Sequence, residues 1–209
     1  MAVALKPAKK VPKEWMGGIV RWEDYDVPFD VRWFNNFGRL TTLWLWQSRA
    51  LYENAELVML SRKNRASTFF NVPTGMMLGS YAIETLLKAA QIAELNERQQ
   101  EGLFFSDAKD MHSTFHDLNK LVDETGIKVS KKDRTLLSEL TEFAIWKGKY
   151  PIPLKAKEYR GPALYDALNA HLKGKEPTET WERVSTLYKK LSKKVVRRVE
   201  ASSPPIAHI

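Results

Sequence analysis

Two charged residues and two histidines are the side chains of this sequence whose types and spacing favour chemistry. Glu84 and Lys88 stand four residues apart, the spacing at which a carboxylate and an ammonium group meet on one face of a helix. His112 and His116 have the same spacing, which can place two imidazoles on one face. The pairs are typical either of a solvated ion pair beside surface histidines or of a polar cluster inside a helical bundle, and the residues alone leave both interpretations open.

A third group of polar residues closes a predicted helix. Gly148 is expected to end that helix, and Pro151 and Pro153 prevent it from resuming. An ordinary helix end does not need a tryptophan, a lysine and a tyrosine beside these breakers, so the segment is a candidate for function. It reads Trp146-Lys147-Gly148-Lys149-Tyr150-Pro151-Ile152-Pro153.

The absence of cysteine narrows the chemistry. It excludes disulfides, thiolate metal sites and a cysteine nucleophile, and it is consistent with a reducing compartment. The acidic residues near the two histidines, Asp107, Asp110 and Asp117, are unremarkable in number. We therefore predict neither a metal ion nor another cofactor.

Basic residues outnumber acidic ones by 33 to 25, which gives a net charge of +8 and a pI near 9.5. This balance favours an anionic partner such as nucleic acid, although solubility alone explains it equally well. The densest basic stretch lies on the last predicted helix, where cations either complement the helix dipole or form a phosphate-binding face. The candidate nucleic-acid-binding residues there are Lys189, Lys190, Lys193, Lys194, Arg197 and Arg198.

Hydrophobic periodicity predicts the helices that must position these residues. A capping box at Ser130 and Asp133 predicts the start of one of them, while Pro73 and Gly75 predict a loop over residues 63–75. The pattern indicates an all-α bundle of four or five helices. The helical segments, of which 116–124 and 164–172 are short, cover 41–62, 76–95, 116–124, a stretch from Ser130, 164–172 and the last helix from Pro177.

The first forty residues differ from the rest of the chain. Residues 1–13 combine lysines with prolines and are predicted to form a flexible basic arm. Residues 14–40 are rich in aromatics and contain glycines and a proline that oppose a long helix. We interpret them as a non-helical aromatic extension, either a lid on the core or a stacking surface for single-stranded nucleic acid. The helical domain then spans 41–200, and 201–209 form a flexible tail.

Three motifs, taken in order, resemble the HEPN superfamily of helical bundles. They are Tyr81-Ala82-Ile83-Glu84-Thr85-Leu86-Leu87-Lys88, then His116-Asp117-Leu118-x-x-Leu121, then Trp146-x-Gly148-Lys149-Tyr150-Pro151-x-Pro153. The likeness covers residues 41–154, and Lys149 stands where the family pattern has an arginine. The resemblance implies a HEPN-like bundle of four to five helices for the domain at 41–200.

The resemblance implies two kinds of activity. Many HEPN proteins are ribonucleases with an arginine and a histidine roughly four to six residues apart, which hold the scissile phosphate and move the proton. Others bind nucleotides or nucleic acids or partner nucleotidyltransferases, often in stress or phage defence. No arginine lies at that distance before His112 or His116. We therefore expect a non-catalytic binding module. The alternative is a divergent, toxin-like, metal-independent endoribonuclease with His116 as acid–base residue and Lys149 as phosphate holder.

The binding interpretation assigns one cleft to the polar residues of all three motifs. A further interpretation makes them structural, with His116 and Asp117 capping a helix and Tyr150-Pro151 forming a corner, in a protein that partners another chain. The candidate ligand-binding residues are Glu84, Lys88, His116, Asp117, Trp146, Lys149 and Tyr150.

The sequence also predicts where the protein works and with what. No apolar run approaches the ~18 residues of a membrane span, and no apolar signal core follows the N-terminal lysines. We therefore predict a cytoplasmic protein with no membrane partner. Its seven tryptophans are more than one such bundle readily buries, which together with the resemblance predicts a homodimer.

Overall fold

Five helices dominate the part of the chain that the computed structural model describes. The described residues are 3–4, 37–60, 65–97, 103–104, 112–113, 115–147 and 177–202. The predicted all-α class is confirmed for them. The helices are α1 (Thr41–Leu60), α2 (Arg65–Glu97), α3 (Leu118–Thr125), α4 (Lys131–Glu142), which continues into a π-helical turn (Phe143–Lys147), and α5 (Pro177–Ser202).

One short strand pair joins two distant parts of the sequence. Strand β1 (Val3–Ala4) pairs antiparallel with β2 (Leu103–Phe104), with Val3 opposite Phe104. The sequence did not predict this pairing, because two residues are too few to show the alternation of a strand. The pairing leaves the fold class unchanged.

Helix α2 lies at the centre of the bundle and packs against each of the other four helices. Its buried apolar residues occur on every side of the helix, which is the pattern of a helix enclosed by neighbours. They include Met76, Ala82, Ile83, Leu86, Leu87, Ala90 and Ala93. The buried side chains of α2 from Val72 to Ala93 therefore lie among the neighbouring helices.

The prediction of a loop over residues 63–75 was wrong. Helix α2 begins at Arg65 and includes both Pro73 and Gly75. A Cβ atom on Gly75 would lie 2.5 Å from both Cγ and Sδ of Met59, so glycine is what lets α1 approach α2 this closely. The two residues that act as helix breakers in isolation are accommodated here because tertiary packing outweighs local preference.

Helices α3 and α4 begin and end with side-chain and backbone caps. Asp117 accepts hydrogen bonds from the backbone of Asn119 and Lys120, so α3 begins two residues later than the predicted start at residue 116. Gly126 ends α3 with a φ of 63°, a left-handed conformation that favours glycine. Ser130 and Asp133 form the predicted capping box of α4.

Several predictions fall on residues that the structure does not describe. They concern most of the arm at 1–13, the extension up to residue 36, the short helix at 164–172 and most of the tail. Of the extension, residues 37–40 are described, and 37 and 38 among them are helical, unlike the non-helical prediction. No helix among the described residues is both long and apolar enough to cross a membrane.

Candidate functional site

A lysine, a glutamate and a histidine meet where the middle of α2 faces the segment before α3. The Nζ atom of Lys88 lies 2.7 Å from Oε1 of Glu84, and Nδ1 of His116 lies 2.9 Å from Oε2 of the same carboxylate. We call these three residues the carboxylate cluster. One glutamate thus binds a cation with one oxygen and an imidazole with the other.

Burial differs sharply within the carboxylate cluster. The side chains of Glu84 and Lys88 are only 8% and 10% exposed, whereas that of His116 is 46% exposed. The sequence left open whether Glu84 and Lys88 form a solvated pair or an inward cluster, and the structure buries them. A buried ion pair is retained only with close geometry and further hydrogen bonds, and His116 supplies one of these.

Local structure on both sides fixes His116. On one side, Asp117 caps α3, and the backbone amide of Leu118 donates to Oγ1 of Thr141 at 3.1 Å. Leu118 itself is fully buried. On the other side, the Tyr81 ring lies edge-on to the imidazole at a centroid distance of 6.3 Å. The residues after His116 are therefore fixed by the start of α3, and the imidazole itself is in contact with α2.

The hydrogen bond to Glu84 determines what the imidazole can do. An ionised carboxylate only accepts hydrogen bonds, so Nδ1 of His116 is the donor. Within the described part of the chain, Nε2 has no hydrogen-bond partner, on a side chain that is nearly half exposed. With the proton on Nδ1, the neutral imidazole accepts a hydrogen bond from a ligand at Nε2, and only the imidazolium form donates one there.

No protein family model, curated protein or solved structure matches this chain.

A second polar cluster lies one turn further along α2. Gln91 donates to Oγ of Ser113 at 3.1 Å and to Oε2 of Glu124 at 2.9 Å, and its own carbonyl accepts from the Ser113 amide. The Ser113 hydroxyl also donates to Glu124. These bonds attach the segment before α3 to α2, so they position His116 without touching it.

His112 differs from His116 in its surroundings. Its ring meets Trp44 edge-on at 4.8 Å, and Nδ1 lies 2.9 Å from the backbone oxygen of Ser113. Burial lowers the pKa of His112, and the charge of nearby Lys88 lowers it further. The spacing of the two histidines implied one helix face, but the described residues between 112 and 117 are not helical. Nor do the described residues contain a group of three acidic or histidine side chains placed to hold a metal.

Of the remaining candidate ligand-binding residues, Asp117 alone has a side chain that the structure describes. The carboxylate of Asp117 is occupied as the N-cap of α3. Trp146 lies in the π-helical turn, where its backbone alone is described, and Lys149 and Tyr150 lie outside the described residues. The carboxylate cluster is thus the part of the predicted cleft that the structure brings together.

The basic face of α5 divides into two rows. Lys190 binds Asp133, Lys194 donates to the backbone oxygen of Lys128, and Arg198 donates to that of Thr125 at 2.6 Å. We call these three the inner row. The outer row is Lys189, Lys193 and Arg197, all exposed and without a side-chain partner among the described residues.

Sequence reasoning missed Tyr81, Ser113 and Glu124. Tyr81 precedes Glu84 by three residues, a spacing that puts both on one helix face and could have indicated it. Its hydroxyl donates to the backbone oxygen of Ala144 at 3.0 Å, at the start of the π-helical turn. Ser113 and Glu124 carried no sequence signal, because their contact with Gln91 joins segments that are far apart in sequence.

Proposed function

We propose that this protein is a non-catalytic module that binds a nucleotide or nucleic acid through the carboxylate cluster. The observation that supports it is His116, a half-exposed imidazole held at Nδ1 by a buried carboxylate whose charge a buried lysine balances. The charges of Glu84 and Lys88 cancel, so the imidazolium form of His116 would give the cluster a net positive charge and a donor at Nε2. Such an arrangement suits a phosphate oxygen better than an apolar ligand.

Binding is favoured over catalysis because of where the cations are. A phosphoryl-transfer site needs a cation on the scissile phosphate in addition to a proton-transfer group. Lys88 is buried and engaged by Glu84, so it is not free to hold a phosphate. Among the described residues, no arginine and no lysine other than Lys88 belongs to the cluster around His116.

The resemblance to HEPN proteins is consistent with this proposal and extends it. On the basis of this resemblance we propose Lys149 and Tyr150 as further residues of the site. We also propose that the protein is a cytoplasmic homodimer with a role in stress or phage defence. The Trp46 and Leu57 side chains of α1, 69% and 71% exposed, support an association between two copies. Light scattering is expected to give twice the monomer mass, and a monomer at micromolar concentration would refute the dimer.

The binding proposal is tested by titrating the full-length protein with fluorescent ATP and with short RNA. His116→Gln is expected to weaken binding at least tenfold with little change in melting temperature, because the imidazole is half exposed. Lys132→Gln, an exposed change at the start of α4, is the matched control and should leave affinity unchanged. If neither probe binds the wild-type protein, the proposal fails.

Lys149→Ala tests the part of the site that the resemblance supplies. We expect weaker ligand binding with the melting temperature nearly unchanged, which is the behaviour of a charge that serves a ligand rather than the fold. Equal affinity of the variant and the wild-type protein would remove Lys149 from the site.

A divergent endoribonuclease is the second candidate function. The Glu84–His116 hydrogen bond favours it, because a carboxylate that orients an imidazole is a common arrangement for proton transfer. Labelled RNA incubated with the protein and a chelator should then be cleaved, and His116→Gln should abolish cleavage. Intact RNA together with tight binding would support the non-catalytic module. Intact RNA without binding would leave a structural role in a complex with another chain.

A further inference from the structure

The contacts of α5 give its two basic rows different roles. Each side chain of the inner row bonds to an acceptor between Thr125, the last residue of α3, and Asp133, in the first turn of α4. We call this segment the α3–α4 connection. The carbonyl of Thr125 is one of the unpaired carbonyls at the end of α3, and a cation satisfies it well. The inner row therefore fastens α5 to the α3–α4 connection.

We propose that the outer row, Lys189, Lys193 and Arg197, binds the phosphate backbone of a nucleic acid without reading its sequence. This inference rests on the proposed nucleic-acid binding and assigns part of it to a second surface. The three residues follow each other at intervals of four, so they form a nearly straight row on one side of the helix. None of them has a side-chain partner within the described part of the chain.

The length of the outer row suits a nucleic-acid strand. Eight residues separate Lys189 from Arg197, which corresponds to about 12 Å along the helix. One strand carries a phosphate about every 3.4 Å of its axis, so the row faces about three or four phosphates. Positively charged side chains at this spacing can bind neighbouring phosphates simultaneously.

The residues around the outer row explain why base sequence is not read. Apart from the inner-row lysines, its exposed neighbours on α5 are Glu182, Thr186, Glu200 and Ala201, none of which is aromatic. Base recognition on single strands uses aromatic stacking or hydrogen bonds to base edges, and the first is absent from this exposed face. Glu182 and Glu200 lie beyond the two ends of the row, and the exposed parts of Lys190 and Lys194 border one side of it.

A membrane surface fits the outer row less well. Peripheral helices insert an apolar face into the lipid, but the apolar face of α5 is buried in the bundle. The buried residues of that face are Trp181, Val184, Leu187, Leu191, Val195 and Val199. A flat membrane would therefore meet charged side chains without an apolar face to take up, whereas a nucleic-acid strand can follow the row.

The test compares two variants with equal loss of charge on the same helix. The outer-row variant is Lys189→Gln, Lys193→Gln and Arg197→Gln, and the inner-row variant is Lys190→Gln, Lys194→Gln and Arg198→Gln. Affinities for oligo(U), oligo(A) and mixed-sequence RNA, for the matching DNA and for anionic vesicles are measured between about 50 and 200 mM salt.

The outer-row variant is expected to reduce the slope of log affinity against log salt by about 2 for a single strand, and about 2.7 for a duplex. The reduction should be the same for every base sequence. The inner-row variant should reduce the slope by less than one. If the inner-row variant does not fold, the single variants Lys190→Gln and Lys193→Gln are compared instead. Only Lys193→Gln should reduce the slope, by about 0.7 for a single strand.

Several results would overturn this assignment. One is an equal reduction of the salt slope by the outer-row and inner-row variants. Another is a slope reduction by the outer-row variant that depends strongly on base sequence. A third is an outer-row variant that weakens binding to vesicles but not to nucleic acid. If the outer row proves neutral while His116→Gln still weakens RNA binding, the inference fails and the proposed function stands. If the wild-type protein binds no nucleic acid even at the lowest salt, the inference fails, and the module is left with free nucleotides.

Discussion

Helices α2 and α5 use their charged residues in opposite ways. On α2, Glu84 and Lys88 are buried and satisfy each other and His116. On α5, the cations lie outside the core, and one row of them has no partner in the described structure. A charge that is buried in a cluster contributes to stability through its partners, whereas an exposed charge is available to a ligand.

The inner row of α5 lies between the buried charges of α2 and the unpartnered charges of the outer row. Its side chains reach acceptors on the α3–α4 connection, but the Lys190 side chain is 42% exposed. The effect of removing a charge on stability should therefore be largest for the carboxylate cluster, smaller for the inner row and close to zero for the outer row. The effect on nucleic-acid affinity should follow a different order, with the outer row ahead of the inner row.

Glu84→Ala should give the largest loss of stability, because it leaves a buried lysine unpaired. We expect a cost of about 3 kcal/mol or more in the free energy of unfolding, measured by urea denaturation. Glu84→Gln, which keeps the size and one acceptor, should cost less. A loss below about 1 kcal/mol for Glu84→Ala would show that Lys88 finds water when its partner is removed.

Replacing both members of the ion pair sharpens the same comparison. Two apolar residues of similar volume, as in Glu84→Met with Lys88→Met, should recover most of the stability that Glu84→Ala loses, because no charge is then left buried. The double variant should still fail to bind the ligand, because His116 loses its hydrogen-bond partner. Recovery of stability without recovery of binding would separate the structural part of the cluster from its functional part.

The inner-row variant should show an intermediate loss of stability. It removes a salt bridge to Asp133 and two hydrogen bonds to backbone carbonyls, with an expected cost of about 1–2 kcal/mol by urea denaturation. Hydrogen exchange should accelerate at Thr125 and Gly126 more than in α1. A stability equal to that of the wild-type protein would mean that the inner row is solvated rather than structural.

The sequence predicted those parts of the fold that depend on neighbouring residues. The capping box at Ser130 and Asp133 and the start of α5 at Pro177 agree with the structure, because caps use side chains three residues or fewer from the helix end. The start of α2 was misjudged, because the fit of Gly75 against Met59 depends on a neighbouring helix.

The candidate site was predictable to a similar degree. The spacing of Glu84 and Lys88 indicated an ion pair, but only the packing of α2 shows that it is buried. That Glu84 faces His116 was an expectation from the family resemblance, and the structure does place the two together. The division of the α5 cations into two rows depends on acceptors more than fifty residues away, which composition and periodicity do not reveal.

Acid should weaken the link between the inner row and α4. Although burial alone would raise the pKa of Asp133, hydrogen bonds from Lys190 and Ser130 lower it below its ordinary value of 3.8. A carboxyl group whose pKa is lower in the folded state contributes stability above its unfolded pKa and loses it as pH falls through the folded pKa. The stability difference between the wild-type protein and Asp133→Asn should therefore be constant above about pH 5 and shrink below pH 4. Lys190→Gln should reduce this pH dependence, and an unchanged dependence would contradict the assigned cause.

The outer-row variant should have the smallest effect on stability, and that small effect is informative. Surface substitutions away from caps, cavities and buried charges usually change the free energy of unfolding by no more than about 0.5 kcal/mol. Removing three like charges from a chain of net charge +8 also relieves repulsion. A slight gain in the free energy of unfolding therefore agrees with an exposed row as well as a slight loss does. If the variant instead melts several degrees lower, the outer row must have partners in the folded protein. The contrast between the two rows would then disappear, and with it the reason to assign the outer row to a nucleic-acid ligand.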